Sequence, residues 1–158
     1  MNLYTFFNTV ATAVANDATL GAWCINRIGQ APDVRLDVPG DDLPDIENDG
    51  PYIQFGSPAK EMSQGRPRIE YLVEIELGFS LGTYRVRADD ASDPNGVELM
   101  CELCERVLVV IKNNLPSTNF EISEAQIVTD TMGHADDVYG MMAVTFTERL
   151  TIGSDPLV

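Results

Sequence analysis

The chain has 158 residues and a mass of 17.3 kDa, with 25 Asp and Glu against 10 Lys and Arg and a formal net charge of −15. At 44% apolar residues, and with no run near the roughly 18 apolar residues a spanning helix requires, it reads as a single globular domain without a membrane span. The surplus of acid excludes binding modes that grip nucleic acid through clustered Lys and Arg, so DNA could pass the chain but would not be held by it.

No Lys or Arg precedes Arg27, so the start lacks the basic region of a secretory leader, and residence in the cytoplasm is expected. Three cysteines in such a chain read as reduced thiols rather than a disulfide framework.

In chain order, Leu3, Phe6, Phe7, Val10, Ala11 and Val14 recur at helical spacing and predict a first helix, with Asn2 as N-cap and Gly21 near its stop. Residues 21–51 are broken repeatedly by Gly and Pro and predict a long arm. Within it, Cys24–Ile28 and Val34–Val38 are strand-like, and Asp37, Asp41, Asp42, Asp45, Glu47 and Asp49 form an acidic surface with no base among them. Such a run is ordinarily a solvated face, with calcium or magnesium binding the lesser reading.

Pro51–Gly56 predicts a short strand, followed by a protruding polar loop over 56–68 that carries Lys60, Arg66 and Arg68. These three are the compact basic feature of an acidic chain and a candidate surface for an acidic partner. Ile69, Tyr71, Val73, Ile75, Leu77 and Phe79 then alternate with Glu70, Leu72, Glu74 and Glu76, which predicts a strand with one apolar and one acidic face. Thr83–Arg87 alternates too and is expected to pair with it as a hairpin, setting Arg85 and Arg87 near Glu74 and Glu76.

Asp93 as N-cap and Pro94 as first residue predict a second helix running to about Asn114, with Pro116 preventing continuation. One face gathers Val97, Met100, Cys101, Cys104, Val107, Leu108 and Ile111. Leu99, Leu103 and Val110 widen the apolar arc to about 200°, more than one sheet needs to cover. The excess predicts a second covering surface, either the arm or a neighbouring subunit, and makes these three a candidate subunit interface. Two strands come next, within Phe120–Thr131 and Tyr139–Thr151, joined by a turn holding His134.

Chemical motifs are weak. Cys101 and Cys104 have the CxxC spacing but sit inside a helix with no second pair to complete a zinc site, and they read as small buried hydrophobes, as does Cys24. His134 has no nucleophile elbow to serve. Asp89–Gly96 fails as a calcium loop because Ala91 takes the first ligand position. Phosphate-cradling glycine loops are absent from the sequence. The expectation is a protein that is not an enzyme, with no cofactor and no metal.

The layout nevertheless has a counterpart. An N-terminal helix, a long Pro/Gly/Asp-rich connection, the strand Pro51-Tyr52-Ile53-Gln54-Phe55-Gly56, a polar loop, the long strand Ile69–Phe79 with a hairpin partner, a helix ending at Leu115-Pro116 and an aromatic-containing run over Val138–Leu150 succeed one another. In this order the chain resembles the tail-terminator, or tail-completion, proteins of tailed bacteriophages and the related neck and head-to-tail joining proteins. The resemblance spans roughly residues 1–152 and lies in layout rather than in a motif.

It implies a mixed α/β (α+β) fold in two layers, a mostly antiparallel sheet with two main helices packed on one face. It further implies a homohexameric ring on the tail tube in the virion, with the tail tube protein and a neck or connector protein as partners, and DNA only in passage. No catalytic residues come with it. A neck or head-completion role, or a small metal-binding cytoplasmic protein, are the alternatives.

Overall fold

The structure is a computed structural model and describes residues 2–36, 45–46, 50–62, 68–80, 96–130 and 137–149. Three helices, α1 (Leu3–Ala15), α2 (Ala18–Arg27) and α3 (Gly96–Asn113), pack on a six-stranded sheet made of β1 (Asp33–Leu36), β2 (Tyr52–Phe55), β3 (Ala59–Met62), β4 (Arg68–Ser80), β5 (Phe120–Asp130) and β6 (Asp137–Arg149). The order is β1-β2-β4-β6-β5, with β3 also on β4; among the described residues only the β1–β2 pair is parallel. The two-layer, mostly antiparallel α+β architecture is the expected one.

The first helix begins as the sequence predicts, with the Asn2 side chain accepting from the Thr5 N–H at 2.7 Å. Its stripe Phe6, Phe7, Val10, Ala11 and Val14 is buried. The next segment departs from expectation. Cys24–Arg27 are helical rather than extended and Ile28 is the C-cap, because Asp17 caps a second helix by accepting from the Leu20 N–H at 2.7 Å. That helix runs through Gly21 and stops only at Gly29, whose φ of +102° is left-handed backbone open to glycine at little cost, with its N–H returning to Cys24 O.

The strand expected at Val34–Val38 is present as β1, and the remainder of that stretch lies outside the described residues. The Thr83–Arg87 hairpin partner also lies outside them. β6 pairs with all of β4 on one side, and β2 and β3 take the other at Tyr52–Phe55 against Ile75–Gly78 and Ala59–Met62 against Ile69–Leu72. Part of the predicted polar loop is therefore strand. Gly56 N–H still bonds Glu74 O at 2.9 Å, so Ser57 and Pro58 together stand opposite Val73. This is a bulge, and it places the proline where no ladder donor is needed.

The core lies between the helices and the inner face of the sheet. Phe6 stacks on Tyr71 and Phe120, both at 4.9 Å between ring centres, and meets Phe146 edge-on at 5.0 Å. Each such aromatic pair contributes roughly 0.5–1.5 kcal/mol beyond its buried area. Gly140 lets α3 approach the sheet, since a Cβ there would stand 2.7 Å from Met100 Sδ.

Leu99, Leu103 and Val110 belong to this core, at 5%, 0% and 7% exposure. They are not a surface for a neighbouring subunit. The α1 and α2 helices cover the broad apolar arc of α3 from within the chain. Val97, Cys101 and Val109, by contrast, are exposed, so Val97 and Cys101 leave the buried face on which the sequence placed them, while Cys104 and Cys24 are buried.

The fold buries four weakly acidic protons, three in this core and that of Tyr52 on the opposite face of the sheet. Burial pushes the Cys24 and Cys104 thiols from 9.0 up to about 12. Burial, then the Glu76 charge, pushes Tyr52 from 10.0 up to about 12. Tyr71 is raised too, first by burial and then by donating to Glu148 Oε2 at 2.6 Å. The unfolded chain therefore loses these protons first as pH rises. Their contribution is complete below pH 9 and declines through the window from 9.0 to about 12. The melting temperature is expected to hold up to about pH 9 and to fall progressively between about pH 9 and 11 in a thermal scan series. A flat profile across that range would contradict this packing.

Candidate functional site: the open face of the sheet

Among the described residues, helices cover one face of the sheet. On the other, the register aligns Glu70, Leu72, Glu74, Glu76 and Gly78 of β4 with Thr147, Thr145, Ala143, Met141 and Tyr139 of β6. Next to β6, Glu121, Glu124, Gln126 and Val128 of β5 face the same way. Ala59 and Glu61 of β3, Gln54 and the buried Tyr52 of β2, and Asp33 and Arg35 of β1 lie on the same face.

Glu121 and Glu124 share this face because of a bulge. Strict alternation would put residues three apart on opposite sides. The register shift between Ile122 and Glu124 takes up Ser123, whose hydroxyl donates to Thr145 O at 3.1 Å, and returns Glu124 to the side of Glu121.

The electrostatics of the face are lopsided. Each of its arginines pairs with an acid of the same face: Arg35 with Asp33 at 2.7 Å, Arg68 with Glu70 at 2.9 Å, and Arg149 with Glu121 at 2.7 Å. Exposed Glu74, Glu76 and Glu124 have no ion pair among the described residues. The strand neighbours of Glu74 and Glu76 are Ala143, Met141 and Gln54, not arginines. Two carboxylates two residues apart on a strand are about 7 Å apart, which in water is a repulsion of about 0.6 kcal/mol. Glu74 and Glu76 thus set a negative field at the centre of the face beside exposed Leu72 and Met141, and Glu124 extends it to the β5 edge.

The other residues singled out by sequence are scattered. Lys60 lies on β3 with its ammonium 5.7 Å from the centre of the Tyr71 ring, and Arg68 opens β4, so these two are strand residues rather than a loop tip. Arg66 lies outside the described residues, as do Asp37, Asp41, Asp42, Glu47 and Asp49 of the acidic arm and His134. Asp45 is described and exposed.

A groove of about 370 Å³ between α2 and α3 is lined by residues including Asp17, Leu20, Glu102, Glu105, Arg106 and Val109, with Arg106 resting 4.9 Å over the Trp23 ring. Among the described residues no cluster of three or more His, Cys, Asp or Glu is placed to hold a metal ion, and no helix is long and apolar enough to cross a membrane. No protein family matches this chain, and no curated protein matches it.

Proposed function

We propose that this chain is a structural protein of a tailed bacteriophage virion, a ring that caps the tail tube, ends its polymerisation and offers a docking surface to the neck while leaving a channel for DNA. The observation that carries the reading is the sheet face that no helix covers among the described residues, with Glu74 and Glu76 at its centre and Glu124 toward its β5 edge, none of them in an ion pair among those residues. Turned toward a central hole, that face repels phosphate, and the fields of several copies add to a potential of several kT. DNA then slides without adhering. The two-layer α+β fold and the layout resemblance support the same reading, and the resemblance suggests six copies. Its partners are other copies of itself, the tail tube protein and a neck protein.

Adding the protein to polymerising tail tube tests this. Tubes are expected to stop growing with the protein labelled at one end, and the label should persist on tails that lack heads. Label found only on heads would favour a head-completion role, and unaffected tube growth would defeat the proposal. Reversing the central charges with Glu74→Lys and Glu76→Lys together should leave folding and particle mass unchanged. It should also create DNA retention at low salt, measured by filter binding, that disappears as salt is raised.

A further inference from the structure

We infer that copies of this chain join by sheet extension, the outer edge of β5 on one copy pairing with the outer edge of β1 on the next. The joint rests on the ring reading and supplies its contact.

Among the described residues, β1 and β5 are the two ends of the sheet. The β5 edge is 11 residues long. Natural edges are blunted by Lys, Pro or bulges, because a bare row of N–H and C=O groups invites another strand. Phe120–Asp130 contains neither Lys nor Pro, and its one register shift, between Ile122 and Glu124, leaves Glu124–Asp130 regular.

Both edges expose apolar side chains on the same side of the sheet. Ile127 aligns with fully buried Met142, so it faces the helical layer, yet it is 36% exposed. Leu36 aligns with fully buried Phe55 and is 39% exposed. The helical layer stops short of each edge, and joining β5 to β1 brings these two uncovered positions onto one face, where each can shield the other.

Charge selects the orientation. β5 carries Glu121, Glu124 and Asp130 and no base. Arg149 offsets Glu121, but pairing β5 with β5 about a two-fold axis would still set the Glu124 carboxylates of both copies, which have no ion pair among the described residues, on adjacent strands, which opposes association. In β1, Asp33 and Arg35 neutralise each other at 2.7 Å, so no such opposition arises. A β5-to-β1 contact is head-to-tail, and head-to-tail contacts repeat until they close. Sheet continuity also keeps every helical layer on one side and every acidic face on the other, as a channel wall requires. With only four residues in β1 the joint has few backbone bonds, so association should rise steeply with concentration or at a tube end.

Cysteine cross-linking tests the joint. In a Cys101→Ser background, which removes the exposed thiol, Leu36→Cys is mixed with Ala125→Cys, Ile127→Cys or Thr129→Cys, three registers on the inner face, and treated with a short bis-maleimide. At least one mixture should give about tenfold more dimer than either variant alone, as thiols held across a joint react at high effective concentration. Ile127→Lys should abolish association by light scattering while leaving the melting curve in place. Assemblies that form without any mixed cross-link, β5 variants that link to themselves, or undiminished association of Ile127→Lys would overturn the joint and leave the ring reading standing. A monomer at every concentration, with tube ends present, would remove both.

Discussion

Phe6→Ala is expected to cost about 3–5 kcal/mol of folding stability, a large part of the roughly 5–15 kcal/mol typical of a domain. Phe6 is fully buried on α1 and touches rings from three strands, Tyr71 of β4, Phe120 of β5 and Phe146 of β6. Its removal deletes the transfer energy of one ring and three aromatic contacts, and it leaves a void among side chains that are themselves held by a continuous ladder. Strands fixed by a 13-residue β4–β6 register have little freedom to collapse into the gap. Urea denaturation followed by circular dichroism reads the loss, and a cost below about 1 kcal/mol would mean that α1 is not anchored as described.

Leu103→Ala is the second large effect, about 2–5 kcal/mol. This experiment separates a core position from an interface position. Leu103 is on α3 with no exposure, between the sheet and the α1 and α2 helices. Truncation should therefore lower the melting temperature of the single chain and leave the particle mass of the folded protein unchanged by light scattering. A change in mass at an unchanged melting temperature would restore Leu103, with Leu99 and Val110, to a subunit boundary.

Much of the fold is written in local periodicity. The alternation Ile69–Phe79 marks β4 and both of its faces, and the stripe from Leu3 to Val14 marks α1. The excess apolar arc of α3 is legible, but its cover is not, because a helix pattern shows that a face is buried without showing by what. The second helix is hidden by Gly21, which reads as a stop, and by the isoleucines of Cys24–Ile28, which read as strand. Leu20, Cys24 and Ile28, spaced by four and all buried, are the signal that identifies it.

The acidic side of β4 is visible in the sequence, whereas its true neighbours are not. Pairing partners are set by long-range topology, and β6 lies some 60 residues further on rather than across the nearest turn. Glu121 and Glu124 cannot be placed together from spacing alone, since a bulge at Ser123 shifts the phase. The bulge at Ser123 is a point where simple alternation misassigns a face.

The ring is tested most directly by electron microscopy of the purified protein, alone at rising concentration and with tail tube ends, combined with mass measurement by light scattering. Annular particles with an open centre are expected, of a mass that is an integral multiple of 17.3 kDa. Compact single-chain particles under every one of these conditions would contradict it.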